Sequence, residues 1–451
     1  MEKDIGARGE TLEIAIIADD LTGANDTGVQ LARRGLKTSV LISLEQPDPA
    51  GLILDAIVID TDTRATKQQD AYRQVRAAAE YAERLGCKVI YKKMDSTLRG
   101  NIGSELDAVY DAVQPDFIVI APAFPQNGRL VKDGILYVNG KPVHETDAGS
   151  DPKTPVKESH IPTLLGLQTD RAVGLIDHND ISKGIEHMQQ KLNSLLARQI
   201  TYILFDSASE SDLRSVADCI GQSGHHIVWA GSAGLANCLP ISNDHVIPSR
   251  CNEGSELAVN DPVLLVVGSV NGQSRKQLDA LLNQHPVISA VKLQSHAAVE
   301  GGTARGSELS RIIKEAEQDL LKGLDVVLFS SGDKADIDKA NEVGRQSGLT
   351  DPTAVSQRIA ETLGEAAAYL MNRCPLQGVV LTGGDTAKQV CLHWGASRFE
   401  LMDEVESGIP RGRLIGGKPG IFAVTKAGGF GSEQVLIRAI GRLRKEESTT
   451  G

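Results

Sequence analysis

Aromatic residues make up only 4% of this 451-residue chain, too few for the stacking platforms that single-stranded nucleic acids need. A basic excess is missing too. Lys and Arg number 47 against 59 Asp and Glu, a net charge of −12, whereas phosphate backbones demand positive surface. A small anion remains open, since it needs only a few local cations. The six cysteines (Cys87, Cys219, Cys238, Cys251, Cys374, Cys391) form no CxxC and no close pair. They read as reduced thiols of a cytoplasmic protein, not as a disulfide framework. The ten histidines contain no HxxxH or HExxH, so no zinc site is assigned. No apolar run approaches the ~20 residues that cross a bilayer. Residues 1–11 are polar and charged, expected to be a flexible extension and not a signal peptide.

What the chain does have is alternation. Short β-branched runs at Ile14–Ala18, Ser39–Ile42, Ala56–Asp60, Lys88–Tyr91, Phe117–Ala121, Tyr202–Phe205 and Ile227–Ala230 are separated by helical patterns such as Gln68–Leu85 and Ile102–Val113. Residues 128–165 interrupt the rhythm with Gly, Pro, Lys and Asp, as a long excursion. A Pro-, Asn- and Ser-rich stretch between Leu239 and Asp261 reads as a linker. Alternation then resumes at Val263–Val267, Ala290–Leu293, Val326–Ser330, Val379–Thr382 and Ile421–Val424, with helices at Val355–Met371 and Glu433–Arg444. The expected fold is α/β with two domains, each a mostly parallel doubly wound sheet. Residues 12–245 and 261–451 form the domains, 246–260 the linker, and the active site is expected in the interdomain cleft.

The stretch IAIIADDLTGANDTG, residues 14–28, is a strand, an acidic turn and a helix. In parallel sheets such a turn lies at the ligand-binding end of the strand. Adjacent acids repel and resist burial, so Asp19 and Asp20 need a cation, metal or hydroxyl donor. They read either as a general base or metal-linked carboxylate, or as a helix cap. Arg64 follows another strand end. YKKMDSTLRGN, residues 91–101, gathers Lys92, Lys93, Met94, Asp95, Ser96 and Arg99 before a helix N-terminus, a turn suited to a carboxylate or phosphate. Gln126, Asn127 and Arg129 follow a further strand. Guanidinium and ammonium groups for a carboxylate, with acids and amides for hydroxyls, suit a small polyhydroxy acid. WAGSAGLA, 229–236, either lines the site or packs a helix closely on a strand.

In the second half the strand-end turns are glycine-rich: VVGSVNGQS at 266–274, VLTGGDTAK at 380–388 and KAGGFGSEQ at 426–434. Several such turns at one sheet edge suggest phosphate or adenine binding. No GxxxxGK[ST], dinucleotide fingerprint, HRD or DFG is present, which argues against a nucleotide-cofactor dehydrogenase. A non-catalytic sugar-acid sensor remains the rival outside catalysis. A nucleotide-like half and a polyol-acid half join most economically as a kinase.

ADDLTGANDTG, KKMDSTLRGN, APAFPQNGR, GSVNGQS, LTGGDT and KAGGFGSE, in this order and over nearly the whole chain from residue 12, resemble the four-carbon acid sugar kinase family. The resemblance implies a sugar-acid domain followed by an ATP domain, with Mg²⁺ accompanying ATP. It implies phosphorylation of the terminal hydroxyl of a four-carbon acid. Within the family the motif forms are most similar to those acting on D-threonate, with D-erythronate and 2-oxo-tetronates as alternatives. Carried over by position, it places substrate contacts on Asp20, Arg64 and Lys93–Ser96, and nucleotide contacts on Ser269, Gly383, Gly384, Asp385, Thr386 and Gly428. Gly429 joins the last of these turns, and Arg99 the substrate turn. Asp20 is the expected base and Asp95 its runner-up, with Asp19 a cap or turn residue; metal ligands stay unassigned, Asp385 being the candidate. Expected partners are the sugar acid and ATP, with no nucleic acid and no membrane, and a homodimer is left open.

Overall fold

The computed structural model describes residues 12–42, 54–151, 153–241, 261–285, 287–349, 351–416 and 419–444. The extension 1–11 and the linker 246–260 lie outside them. Two compact units divide the chain, Met1–Pro248 and Ser249–Gly451.

The first unit holds β1 (Ile14–Ala18), β2 (Thr38–Leu41), β3 (Ala56–Asp60), β4 (Val89–Lys93), β5 (Phe117–Ala121), β6 (Arg129–Lys132), β7 (Ile135–Val138), β8 (Lys141–Pro142), β9 (Val173–Ile176), β10 (Tyr202–Phe205) and β11 (Ile227–Gly231). Eight of these form one parallel sheet in the order β2-β3-β1-β4-β11-β5-β10-β9. Its strands are apolar on both faces because helices cover both: Ile14, Ile16, Ile17, Ile57 and Ile59 are fully buried. From β1 the chain turns to β2 and β3 on one side, then crosses to β4 on the other. The order therefore reverses between β1 and β4, the place where open α/β sheets bind ligands.

The second unit holds β12 (Val263–Val267), β13 (Ser289–Leu293), β14 (Val326–Ser330), β15 (Gly378–Thr382), β16 (Ala396–Glu406), β17 (Ile409–Gly416) and β18 (Ile421–Lys426). Their order is β13-β14-β12-β15-β18-β17-β16. Here the reversal lies between β12 and β15. Val263, Leu265 and Val267, alternate residues on one face of β12, form a buried core with Leu278, Leu281, Val380 and Leu436.

Several elements differ from the sequence reading. Lys92 and Lys93 belong to β4 itself, and strand periodicity therefore sends their side chains to opposite faces. The excursion 128–165 contains the antiparallel sheet β6-β7-β8. β9, only four residues long, was not anticipated. Nor were β16 and β17, which form an antiparallel ribbon with the expected strand β18; they carry many charged residues and so lack the apolar signature of a buried strand. The long helix is Pro352–Arg373, capped by Asp351, whose side chain accepts from the Thr353 N–H at 2.8 Å. The last helix is Val435–Arg444.

Candidate functional site

At the reversal in the first unit, β1, β3 and β4 end side by side, with Ala18 opposite Asp60 and Lys93. The loop after β3 is zipped to the acidic turn: Thr63 and Arg64 donate their N–H groups to the Asp19 carbonyl at 2.9 and 3.1 Å. This places the Arg64 guanidinium over both acids. Nε lies 2.7 Å from Asp19 Oδ2, and Nη1 lies 2.6 Å from Asp20 Oδ2. Nη2 bridges Asp19 Oδ1 at 3.0 Å and Asp20 Oδ1 at 2.7 Å, with Asp95 Oδ1 3.5 Å away.

The cap belongs to Asp20, not Asp19. Asp20 Oδ1 accepts the Gly23 N–H at 2.8 Å at the start of the helix Leu21–Arg33, so the residue expected as base also caps. Asp19 is instead buried and ion-paired. A side chain at Gly23 would press on this cluster, its Cβ 2.7 Å from Asp20 Oδ1 and 3.2 Å from Lys93 Nζ.

The two acids titrate apart. Burial raises both, but at Asp19 the charges of Arg64, Lys92 and Lys93 prevail and hold the carboxyl below its usual range. At Asp20 burial, joined by the neighbouring Asp19 charge, outweighs Arg64, Lys93 and the Gly23 N–H and holds it above. Such a divergence is how adjacent carboxyls acquire different chemical roles.

Asp95 is organised differently. Despite burial, Arg99 and Arg64, with hydrogen bonds from Arg99 and Thr97, hold its carboxyl well below the usual range. Arg99 Nε and Nη2 lie 2.9 and 3.0 Å from its oxygens, and the Thr97 hydroxyl and N–H also donate to it. A carboxylate so fully supplied with donors is a poor proton acceptor, so the runner-up assignment is disfavoured. Arg99 reaches on to Asp151 Oδ2 at 3.2 Å, tying the turn to the excursion. Leu98, at φ +62, sits in the left-handed region, a strain that clusters at ligand-binding turns. Lys93 Nζ donates to the Met94 carbonyl at 2.7 Å; the Met94 side chain is buried, and Ser96 is partly exposed at the turn.

Beneath the turn lies a buried network that the sequence did not reveal. Lys92 Nζ is 2.8 Å from Glu105 Oε2, and Glu105 Oε1 accepts the Thr63 hydroxyl at 2.7 Å. Strand alternation separates Lys92 from Lys93, and the packing of the helix Ile102–Val113 supplies Glu105 to Lys92. Gly231 and Gly234 are packing glycines: a Cβ would meet the carbonyls of Ala121 and Ala123 at 2.5 and 2.6 Å.

In the second unit, the ends of β12, β15 and β18 converge at the reversal. Gly383, at φ +99, faces Ser269, and a Cβ on Gly428 would overlap Ser269 Oγ. Gly384, Asp385 and Thr386 open the helix Gly384–Trp394; Thr386 is buried, while Asp385 and Gly429 are exposed. Bare backbone at a helix start is a ready phosphate cradle. The 427–431 loop is fastened from below by a group not anticipated from the sequence. Lys426 Nζ donates to the carbonyls of Ala427, Gly428 and Phe430 at 2.7, 3.0 and 3.1 Å, and burial pulls its pKa down to about 7. Ser274 and Gln277 bind the same loop's carbonyls. A lysine at the end of a strand, two residues before a double glycine, was the available signal. Among the described residues no three His, Cys, Asp or Glu could hold a metal ion together, and no helix is long and apolar enough to cross a membrane.

A profile described as "Sugar-binding N-terminal domain" matches residues 14–239, and one described as "Nucleotide-binding C-terminal domain" matches residues 264–436. The chain is 36% identical to a D-threonate kinase of Bordetella bronchiseptica, over 97% of this chain and 98% of that protein. It is 33% identical to a D-erythronate kinase of Heliobacterium modesticaldum, over 90% of each. The solved structure of a Haemophilus influenzae protein shares the fold, with a TM-score of 0.70 at 24% identity, covering 95% of this chain and 100% of that one. With both halves matched and relatives aligned along almost its whole length, the chain belongs to the four-carbon acid sugar kinases, a family of ATP-dependent sugar-acid kinases.

Proposed function

We propose that this protein transfers the γ-phosphate of ATP to the terminal C4 hydroxyl of a four-carbon sugar acid, with D-threonate as the preferred substrate. The observation that carries the reaction type is the split between Asp19 and Asp20 under one guanidinium. Asp20 accepts the proton of the attacking hydroxyl. Asp19 stays ionised and, through Arg64, fixes the direction in which Asp20 presents its oxygens. Burial and the restrained Arg64 fork spare the site reorganisation during transfer.

The turn 93–99 supplies positive charge and hydroxyl-binding groups for the sugar acid. The carboxylate grip expected of Arg64 meets a guanidinium already occupied by Asp19 and Asp20, so Arg64 serves as the orienting residue. Ser269, Gly383–Thr386 and Gly428 bind the nucleotide's phosphates, where the glycines leave room for them against the backbone. Mg²⁺ fits this donor set as an ion carried chiefly by phosphates with one or two carboxylates, for which the exposed Asp385 at the helix start is suited. When bound, it neutralises charge on the transferring phosphoryl group. Likeness to the Bordetella enzyme favours D-threonate; likeness to the Heliobacterium enzyme makes D-erythronate the second reading. A cytoplasmic setting fits the five described cysteines, all free thiols.

The test is ATP consumption with both threonates, both erythronates, their 2-oxo forms and threitol. Turnover highest with D-threonate and far lower with threitol, which lacks the carboxylate, is the expected result. Absence of turnover with every acid, or equal use of threitol, overturns the proposal.

A further inference from the structure

We propose that Arg129 is the residue that grips the substrate's carboxylate. The inference rests on the sugar-acid kinase reading and deepens it. Four cations stand at the strand ends of the first unit, and their donors differ in what they already hold. Arg64 spends Nε and both Nη atoms on Asp19 and Asp20. Lys93 Nζ is turned to the Met94 carbonyl, and its charge bears on Asp19 and Asp20. Arg99 spends Nε and Nη2 on Asp95 and Nη1 on Asp151.

Arg129 alone of these three arginines has no carboxylate ion pair among the described residues. Its Nη1 donates to the Asn127 carbonyl, while Nε is withdrawn from water with no acceptor among the described residues. A guanidinium N–H buried without a partner is costly, and in native proteins such an atom calls for a missing partner. Its backbone is fixed, not floppy. Phe124 and Arg129 exchange N–H···O bonds at 2.8 and 3.1 Å, closing the loop that follows β5. The side chain lies within electrostatic reach of Asp95 and Arg99 of the substrate turn, and of Asp26 in the helix Leu21–Arg33. A planar fork with unused donors matches a carboxylate better than an ammonium does. The sugar acid would set its carboxylate on Arg129, leaving its far hydroxyl for Asp20.

The experiment compares wild type, Arg129→Met and Arg129→Lys with D-threonate, D-erythronate and threitol, each with ATP. In Arg129→Met the KM for the preferred acid should rise about 10- to 100-fold, the scale of a hydrogen bond to a charged group. Its KM for ATP should hold, as should its kcat at saturating acid. Arg129→Lys should fall between. Any loss with threitol, which lacks the carboxylate, should be smaller in Arg129→Met than the loss with the acid. Calorimetric ADP binding reports on folding, and should Arg129→Met fail to fold, a smaller but measurable KM rise for the acid, with the KM for ATP unmoved, is required of Arg129→Lys. An unchanged KM for the acid in the folded variant overturns the assignment, as does equal loss with acid and threitol. A wild type that turns over no four-carbon acid fails the kinase reading instead, before any variant is compared.

Discussion

Arg64 meets both oxygens of Asp20, Nη1 2.6 Å from Oδ2 and Nη2 2.7 Å from Oδ1. The carboxylate's position is thereby set without exhausting its capacity to accept a proton. Asp20→Asn keeps the shape and removes the base. General-base assistance is worth about 10²–10⁴-fold, so kcat should fall by about two orders of magnitude or more. ATP binding should barely change. Asp19→Asn should act through Arg64: an amide in that buried site loses the ion pair and costs stability, on the order of 1–3 kcal/mol, with a smaller loss in kcat. Steady-state kinetics and denaturant titration on both variants decide it; the reverse ranking in kcat would make Asp19 the base.

Acid should stop turnover before it unfolds the protein. Asp20 titrates above its ordinary value of 3.8, so the folded state takes up this proton before the unfolded chain does. Activity is therefore lost as pH falls through that raised value. Asp19 and Asp95 titrate below 3.8, so the stability they contribute is fully present above it and is lost only as pH falls further through their folded-state values. A kcat/KM profile should lose its acid limb while circular dichroism still reports a native fold. Coincident loss of both signals contradicts the assignment, as does persistence of the same limb in the residual activity of Asp20→Asn.

Gly428→Val should weaken the nucleotide site selectively. A Cβ there overlaps Ser269 Oγ and lies 3.2 Å from Asn271 Cβ, so the β12 and β18 turns must part. ADP affinity should drop at least about tenfold, the consequence of ~1.4 kcal/mol. Binding of the sugar acid should survive. Calorimetry with each ligand separately is the measurement, and undiminished ADP affinity would remove Gly428 from the nucleotide contacts.

Lys92→Met should be strongly destabilising, because among the described residues it leaves Glu105 with only the Thr63 hydroxyl inside the fold. Breaking a buried pair by removing one partner costs about 3–5 kcal/mol. Lys92→Met combined with Glu105→Leu should recover much of that loss, since the uncompensated charge is gone. Urea unfolding of the single and double variants tests this; a double variant no better than Lys92→Met would mean that the pair is not what sustains this part of the core.

The sequence by itself determined the alternation of strands and helices and the turns that carry chemistry, because buried parallel strands are written as apolar runs and strand-end turns as Asp, Lys and Gly. It points to Asp19, Asp20, Arg64 and the 93–99 turn because strand-end motifs are local, while Ser269, Gly383 and Gly428 are singled out by the family resemblance. It could not say what each charge already holds. That Lys92 pairs with Glu105 while Lys93 does not is decided by what packs beneath β4, and the cap falls on Asp20 because its backbone is the extended one at the head of a helix. Arg64 is committed to two acids, and Arg129 is not, because strands distant in sequence lie at particular places in one sheet. The short β9 and the β16–β17 ribbon escaped for a related reason. Their identity as strands comes from the neighbours they pair with, and pairing partners are supplied by tertiary structure, not by hydrophobic pattern.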